Sequence, residues 1–230
     1  MTDPSAPPRM TEELIRIATS PIVLAASLVL PADARGIVLF AHGSGSSRFS
    51  PRNRYVARRL NEARLATLLA DLLTTEEEMA DAQGALLRFD IDLLAGRLIG
   101  ATDWLRERPD TRHLPIGYFG ASTGAAAALV AAAARADAVR AVVSRGGRPD
   151  LAGSALPLVK APTLLIVGSN NPDVLDLNRR SLAELRVEKR LEIVPGAAHL
   201  FEEPGALEEV ARLAREWFER HLIAAKTRAA

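Results

Sequence analysis

The stretch Pro115-Ile-Gly-Tyr-Phe-Gly-Ala-Ser-Thr-Gly124 decides the fold that we predict for this 230-residue chain. Its apolar run, residues 116–119, breaks into Gly120-Ala-Ser-Thr-Gly124, which is a G-x-S-x-G pattern. An alanine-rich segment with strong helix propensity, residues 125–134, follows directly. Strand, tight glycine turn and helix together hold a serine hydroxyl at a helix N-terminus, where free N–H groups stabilise an anion. Ser122 is therefore our candidate nucleophile.

Buried apolar runs alternate with amphipathic segments on both sides of this stretch. The predicted strands are residues 11–18, 22–30, 37–41, 65–73, 114–119, 139–144, 162–167 and 191–194. The predicted helices are residues 52–63, 90–107, 125–134, 174–185 and 207–222. Residues 74–84 are expected to form a polar loop, with a helical turn as the alternative. This alternation predicts an α/β fold with a mostly parallel sheet and helices on both faces. In such sheets, functional sites lie at the carboxyl ends of the strands.

Length and composition are those of an ordinary globular protein. The chain has 230 residues, of which 48% are hydrophobic and 25% are charged. From this length and composition we predict one domain, residues 14–223. We expect residues 1–13 to be a flexible tail and residues 224–230 to be frayed. The most apolar run, residues 22–30, is too short to span a bilayer.

Charge and cysteine content narrow the classes of partner and site. The net charge of +1 favours neither nucleic acid nor a membrane surface as a partner. The absence of cysteine excludes disulfides, thiolate metal sites and a cysteine nucleophile, and it is compatible with a reducing compartment. We therefore expect a cytoplasmic monomer or homodimer that acts on a small molecule without a metal or cofactor.

Four histidines are available to serve as the base that a serine nucleophile needs. His42 ends a predicted strand and is expected to shape the following loop. His113 lies at the amino end of its strand, and His221 lies late in the last helix, where we interpret it as a packing residue. His199 follows the final strand, at the carboxyl end of the sheet. It is therefore the predicted base.

A tetrahedral intermediate also requires two N–H donors for its oxyanion. We predict the backbone of Thr123 as the first donor, because it follows the nucleophile directly. Ser44 is the second, from the loop His42-Gly-Ser-Gly-Ser-Ser47 after the third strand. A phosphate-binding interpretation of that loop is disfavoured, because neither G-x-x-x-x-G-K-[ST] nor G-x-G-x-x-G is present.

The third member of a serine triad is the weakest part of the pattern. The usual place for the acid is three residues beyond Gly168, where the chain has Asn171 instead of an aspartate. Asp173 lies two residues further on, and Asp150 follows an earlier strand. We rank Asp173 slightly ahead of Asn171, and Asp150 third. If Asn171 is the partner, we expect a slow enzyme, because an amide does not offset the charge of an imidazolium.

Together these residues resemble the dienelactone-hydrolase-like branch of the α/β-hydrolase superfamily, over roughly residues 20–222. The order serine, acid, histidine is that of the α/β-hydrolases. The resemblance is carried by His42-Gly-Ser-Gly-Ser-Ser-Arg48, Gly120-Ala-Ser-Thr-Gly124, Ser144-Arg-Gly-Gly-Arg-Pro-Asp150 and Gly196-Ala-Ala-His-Leu-Phe201. More narrowly, the chain is similar to bacterial hydrolases that are found fused to a phosphoribosyltransferase domain.

The resemblance implies an α/β-hydrolase fold with little or no lid and a triad of serine or cysteine, aspartate and histidine. Two positions depart from the family pattern: Ser122 stands where the name-giving enzyme has cysteine, and Asn171 stands where the family has aspartate. The first departure favours a general carboxylic ester over dienelactone as the substrate. The second puts full activity in question.

Three functions are compatible with these residues. The leading hypothesis is a serine hydrolase of small carboxylic esters, or of thioesters, that forms an acyl-enzyme. The second is an α/β-hydrolase fold with weakened or lost catalysis that serves as a small-molecule binding or regulatory module. The third, an acyltransferase for an anionic substrate, rests on Arg48, Arg52 and Arg54, which we interpret more simply as solvated surface.

Overall fold

The computed structural model describes residues 11–19 and 21–223. Most of the two expected tails lies outside these residues, as does Ser20 of the first turn. Eight strands are present: β1 (Glu12–Thr19), β2 (Ile22–Val29), β3 (Gly36–Ala41), β4 (Leu65–Ala70), β5 (Ile116–Ala121), β6 (Val139–Arg145), β7 (Thr163–Gly168) and β8 (Lys189–Val194). The α-helices are α1 (Pro51–Glu62), α2 (Thr75–Ala80), α3 (Ile91–Glu107), α4 (Thr123–Ala134), α5 (Pro172–Glu184) and α6 (Ala206–Phe218).

The strands form one sheet in the order β1-β2-β4-β3-β5-β6-β7-β8. Strand β2 runs antiparallel to both of its neighbours, and the pairs from β4 through β8 are parallel. The predicted mostly parallel sheet is therefore confirmed. Because the carboxyl ends of parallel strands share an edge, the loops after β3, β5, β6, β7 and β8 meet there.

Alternate residues of the central strands supply two cores, one on each face of the sheet. In β3, Ile37 and Leu39 belong to the core that α3 and α4 cover. Val38 and Phe40 belong to the opposite core, which α1 and α6 cover. This two-residue period explains why β3 reads as a continuous apolar run, since both of its faces are buried.

Two regions contain secondary structure that the sequence-based expectation lacks. The expected polar loop at residues 74–84 contains helix α2, followed by a π-helical turn, Asp81–Ala85, and a 3-10 turn, Leu87–Phe89. Thr74 and Glu77 form a reciprocal capping box at the start of α2, and this signal is present in the sequence. The 3-10 segment Pro149–Leu158 was not predicted.

The remaining differences are shifts of element boundaries. Strand β1 spans Glu12–Thr19 instead of the predicted residues 11–18, and it begins inside the expected tail, residues 1–13. Strand β4 ends at Ala70 instead of residue 73, and β8 begins at Lys189 instead of residue 191. Helix α6 ends at Phe218 and continues as a π-helical turn, Glu219–Ile223. Within residues 11–19 and 21–223, no helix has the length and apolar composition needed to cross a membrane.

Helix α4 packs directly onto the ends of the central strands because its first turn lacks side-chain bulk. A Cβ atom on Gly124 would overlap the backbone carbonyl oxygens of Ala41 and His42. A Cβ atom on Gly120 would overlap the backbone of Ala125. Glycine at both ends of the G-x-S-x-G pattern therefore sets the distance between the serine turn, the helix and the neighbouring strand.

We expect Gly124→Ala to lower the free energy of unfolding by about 1–3 kcal/mol, because rigid backbone must move to admit the methyl group. Gly96→Ala is the matched control: this exposed glycine lies inside α3 with no atom near its added Cβ. That change should be neutral or stabilise by up to about 1 kcal/mol, from helix propensity. Urea unfolding followed by circular dichroism measures both, and equal effects would contradict the packing argument.

Candidate active site

The turn between β5 and α4 presents Ser122 in a strained conformation. Its φ of 51° and ψ of −123° are rare for a residue with a side chain. Ser122 N–H donates to the carbonyl of Arg145 at 3.3 Å, and Arg148 N–H donates to the Ser122 carbonyl at 3.1 Å. The Ser122 hydroxyl makes no hydrogen bond to a described residue. The turn thus holds the serine by its backbone and leaves its hydroxyl available.

The loop after β3 lies against this serine. A Cβ atom on Gly43 would be 3.0 Å from the Ser122 Cβ and 3.2 Å from the Ala121 carbonyl oxygen, so any side chain there would crowd the turn. The next residue, Ser44, donates its backbone N–H to the Thr123 hydroxyl oxygen at 3.0 Å. The predicted oxyanion donor Ser44 is therefore beside the nucleophile, but its N–H is bonded to a side chain.

Thr123 occupies the first position of α4. A backbone N–H at this position has no acceptor within the helix, and Thr123 N–H has none elsewhere among the described residues. The positive end of the helix dipole adds to the attraction of this N–H for an anion. The geometry therefore agrees with Thr123 N–H as a donor to negative charge developing beside Ser122.

His199 lies in the loop after β8, partly buried, next to the turn that follows β6. A Cβ atom on Gly146, whose φ is +51°, would be 3.4 Å from His199 Nδ1 and 3.0 Å from its carbonyl oxygen. The preceding carbonyl, that of Arg145, accepts the Ser122 N–H. The Arg145-Gly146 turn thus contacts the nucleophile candidate on one side and the base candidate on the other, although Ser122 and His199 share no hydrogen bond.

Asn171, and not Asp173, is the residue that contacts His199. The Asn171 side-chain nitrogen is 3.2 Å from His199 Nδ1. Asp173 lies exposed in the first turn of α5 and has no hydrogen bond to His199. Asp150 is engaged by Arg148 at 2.7 Å. Our ranking of Asp173 ahead of Asn171 as the partner of His199 is therefore wrong. Helix α5 begins at Pro172 and places Asp173 away from the loop after β8.

An amide and a carboxylate act differently on an imidazole. When the Asn171 nitrogen donates to Nδ1, the proton of a neutral imidazole resides on Nε2. When the amide oxygen faces Nδ1 instead, the proton resides on Nδ1, and Nε2 is free to accept another. A carboxylate, which only accepts, would enforce the second state and would also stabilise the imidazolium. Asn171 orients the His199 ring, but it neither enforces a proton on Nδ1 nor stabilises the imidazolium.

The electrostatic environment of His199 is positive, which the sequence did not predict. The Arg145 guanidinium is buried, and it forms no ion pair with any described carboxylate. Its neighbours are the Asn53 side-chain oxygen at 3.5 Å and the Phe201 ring, whose centroid is 5.9 Å away. Burial, aided by the charge of Arg52, lowers the pKa of Arg145 to about 10. The guanidinium therefore remains charged at neutral pH.

This charge acts on His199. Burial lowers the pKa of His199 below its ordinary value of 6.5, and the nearby charges of Arg145 and Arg52 lower it further. No carboxylate is among the groups that shift this pKa. Glu202 is paired with Arg52 at 2.8 Å, and Glu203 accepts the Ala198 N–H at 3.0 Å. His199 is therefore neutral at pH 7, as a proton acceptor must be, but its protonated form is disfavoured.

The other three histidines are placed as expected from the sequence. His42 is buried, and its Nε2 accepts the Leu72 N–H at 3.0 Å, so the ring connects two loops. His113 precedes β5 at the amino edge of the sheet. The His221 ring packs on Trp217, with centroids 4.5 Å apart. None of them lies near Ser122 in a role that competes with His199.

A cavity of about 350 Å³ opens beside the loop after β3. Its walls are residues 42–47, three side chains of the helical segment that replaces the expected polar loop (Glu78, Asp81 and Arg88), and Leu73 and Leu94 on either side of that segment. Ser122 and His199 are not among its lining residues. Arg88 is paired with Asp81. The described residues contain no cluster of three or more histidine, aspartate or glutamate side chains suited to a metal ion.

Comparison with known proteins identifies relatives of this chain. The sequence profile of the dienelactone hydrolase family matches residues 24–224. Two curated Mycobacterium tuberculosis proteins, from strains CDC 1551 / Oshkosh and ATCC 25618 / H37Rv, are 58% identical over 220 residues, 96% of this chain and 49% of theirs. They are named as candidate phosphoribosyl transferases. The chain thus spans about half the length of these curated relatives.

Solved structures agree with the fold. A crystal structure of dienelactone hydrolase from Anabaena variabilis is 62% identical, with a TM-score of 0.92 over 93% of this chain and 99% of that one. The protein Est1E from Butyrivibrio proteoclasticus is 16% identical, with a TM-score of 0.75 over 90% of this chain and 98% of that one. The second likeness shows only that the α/β-hydrolase fold is shared.

We expect the ¹H–¹⁵N NMR titration of His199 to give a pKa below 6.5 in the native chain, because burial and Arg145 disfavour its charged form. Asn171→Asp should raise that pKa, since a carboxylate at Nδ1 favours the imidazolium. Asp173→Asn removes an exposed carboxylate and should leave the His199 pKa nearly unchanged. A larger shift in the Asp173 variant than in the Asn171 variant would contradict the geometry.

Proposed function

The chain belongs to the dienelactone hydrolase family, and on that premise we propose that it is a serine hydrolase that cleaves small carboxylic esters or thioesters through an acyl-enzyme. The observation that carries the proposal is the strained Ser122 turn, joined through Arg145-Gly146 to a neutral His199. Fixing a side-chain-bearing residue in such a conformation costs of order 1–3 kcal/mol, and it is typical of functional sites.

In the first half-reaction, the Ser122 oxygen attacks the carbonyl carbon of the ester. His199 Nε2, which is unprotonated when the Asn171 amide oxygen faces Nδ1, takes the hydroxyl proton, and the carbonyl oxygen becomes an oxyanion at the N-terminus of α4. Thr123 N–H donates to that oxyanion. The carbon–oxygen bond to the leaving group then breaks, and the leaving alcohol takes the proton from His199. Ser122 is left acylated.

In the second half-reaction, water replaces the alcohol. His199 accepts a proton from the water, whose oxygen attacks the acyl carbon, and the same oxyanion donor stabilises the second intermediate. Breakdown of that intermediate releases the carboxylic acid and returns the proton to Ser122. Small substrates are favoured because the cavity beside Gly43 and Ser44 holds about 350 Å³, at the lower end of the range for ligand pockets.

The environment of His199 leads us to expect a slow reaction. Each step passes through an imidazolium, which Asn171 does not offset and which Arg145 opposes. In a serine protease, replacing the triad aspartate by asparagine lowers kcat about 10⁴-fold. The same feature favours a second candidate function, a small-molecule binding or regulatory module that keeps the hydrolase fold.

We expect a burst of p-nitrophenol when the native chain is mixed with a short-chain p-nitrophenyl ester, followed by slower turnover as the acyl-enzyme hydrolyses. The burst amplitude should equal the enzyme concentration. Ser122→Ala should abolish both the burst and labelling by a fluorophosphonate. Ser154→Ala, at an exposed serine outside the cavity beside Ser44, is the control that should keep both. Native protein that shows neither ester turnover nor labelling would contradict the proposal.

We expect Asn171→Asp to raise kcat for the same ester on the order of 10²-fold, by fixing the His199 tautomer and stabilising its imidazolium. The acid limb of the rate profile should move to higher pH together with the His199 pKa, because protonated His199 cannot act as the base. Asp173→Asn should change neither quantity. An unchanged rate in the Asn171 variant, despite a raised His199 pKa, would support the binding-module alternative.

A further inference from the structure

The hydrogen bond between Ser44 N–H and the Thr123 hydroxyl oxygen leaves that hydroxyl with an unused proton. The Thr123 side chain is buried, with 5% of the residue exposed, so water does not readily serve it. A hydroxyl has one proton and two acceptor positions. Ser44 N–H uses one acceptor position, and the proton is donated to no described residue.

The unused proton is close to the place where an oxyanion would form. Within one threonine, the backbone nitrogen and the hydroxyl oxygen are separated by only two carbon atoms. An oxygen that accepts the Thr123 N–H is therefore within reach of the Thr123 O–H as well. By contrast, Ser44 N–H is already bonded to the hydroxyl oxygen, at 3.0 Å.

Close backbone packing holds this arrangement. Gly43 lies against Ser122, and Gly124 lies against the carbonyls of Ala41 and His42, so the two loops cannot separate without disturbing the sheet. A donor that is held in place before the reaction needs no reorganisation when charge develops. The Ser44 N–H also polarises the hydroxyl that it binds, which strengthens the next hydrogen bond in the chain by roughly 10–30%.

We propose that the Thr123 hydroxyl is a catalytic residue, the second oxyanion donor of this site, and that Ser44 N–H acts by orienting and polarising it. The inference rests on the proposed ester hydrolysis at Ser122. It replaces the expected pair of backbone donors with one backbone N–H and one side-chain O–H, both from Thr123. The chain of hydrogen bonds then runs from Ser44 N–H, through the hydroxyl, to the oxyanion.

Three variants of Thr123 test this assignment. Thr123→Val keeps the shape and removes the hydroxyl, and Thr123→Ser keeps the hydroxyl. Thr123→Ala removes the hydroxyl and clears the path to Ser44 N–H. For each variant, kcat and KM are measured with a p-nitrophenyl ester. Affinity is measured for an alkyl boronic acid, which forms a tetrahedral adduct on the serine, and for the carboxylic acid product, which does not.

We expect Thr123→Val and Thr123→Ala to lower kcat about 100-fold, as loss of one oxyanion donor does elsewhere, with KM and product affinity changed by less than about threefold. Boronic acid affinity should fall with kcat, because the adduct resembles the transition state. Thr123→Ser should restore both. If the valine variant does not fold, the alanine and serine variants still give the comparison.

Two results would overturn the assignment. Native or higher kcat in Thr123→Ala would show that Ser44 N–H itself is the donor and that the hydroxyl only covers it. Loss of activity in Thr123→Ser equal to that in Thr123→Val would show a packing role. Native protein that neither turns over the ester nor binds the boronic acid would overturn the proposed function and this inference together. Native activity that Thr123→Val leaves unchanged would overturn this inference alone.

Discussion

Direct contact between backbones at glycine is the constraint on which the rest of the site depends. Gly120 and Gly124 bring the serine turn against α4 and against the end of β3, while Gly43 brings the following loop against Ser122. No side chain separates these segments, so the positions of Ser122, Thr123 and Ser44 are set by the sheet itself. Rigidity of this kind provides fixed dipoles for a charged intermediate.

Charge around the site is distributed unequally. On the side where we propose the oxyanion, the N-terminus of α4 presents the Thr123 N–H, which has no acceptor among the described residues and favours negative charge. On the base side, His199 has an amide and the buried Arg145 as neighbours instead of a carboxylate, which disfavours positive charge. The site is therefore equipped to stabilise the developing anion and poorly equipped to stabilise the developing imidazolium.

The sequence was most informative where one segment determines its own structure. Apolar runs and the glycine turn predicted the sheet, the strand-turn-helix around Ser122 and the loop that carries His199, because strand periodicity and turn chemistry are local. The environment of His199 was not predictable in this way. Arg145 contacts Asn53, which is 92 residues away, and Ser44 binds Thr123 across 79 residues, so both contacts depend on packing between distant loops. Helix α2 is a different case: a helical turn is expected there from the sequence only as the alternative to a loop, although the capping box is visible in the sequence.

The unequal charge distribution bears on which esters suit the site. Departure of an alkoxide from the tetrahedral intermediate needs a proton from the imidazolium, the species that Asn171 and Arg145 leave without support. A phenolate, an enolate or a thiolate leaves with less need for that proton, because its conjugate acid is stronger. Oxyanion stabilisation, which the turn does provide, is needed by every ester alike. Within the proposed substrate class, we therefore expect aryl esters, enol esters and thioesters to react faster than simple alkyl esters.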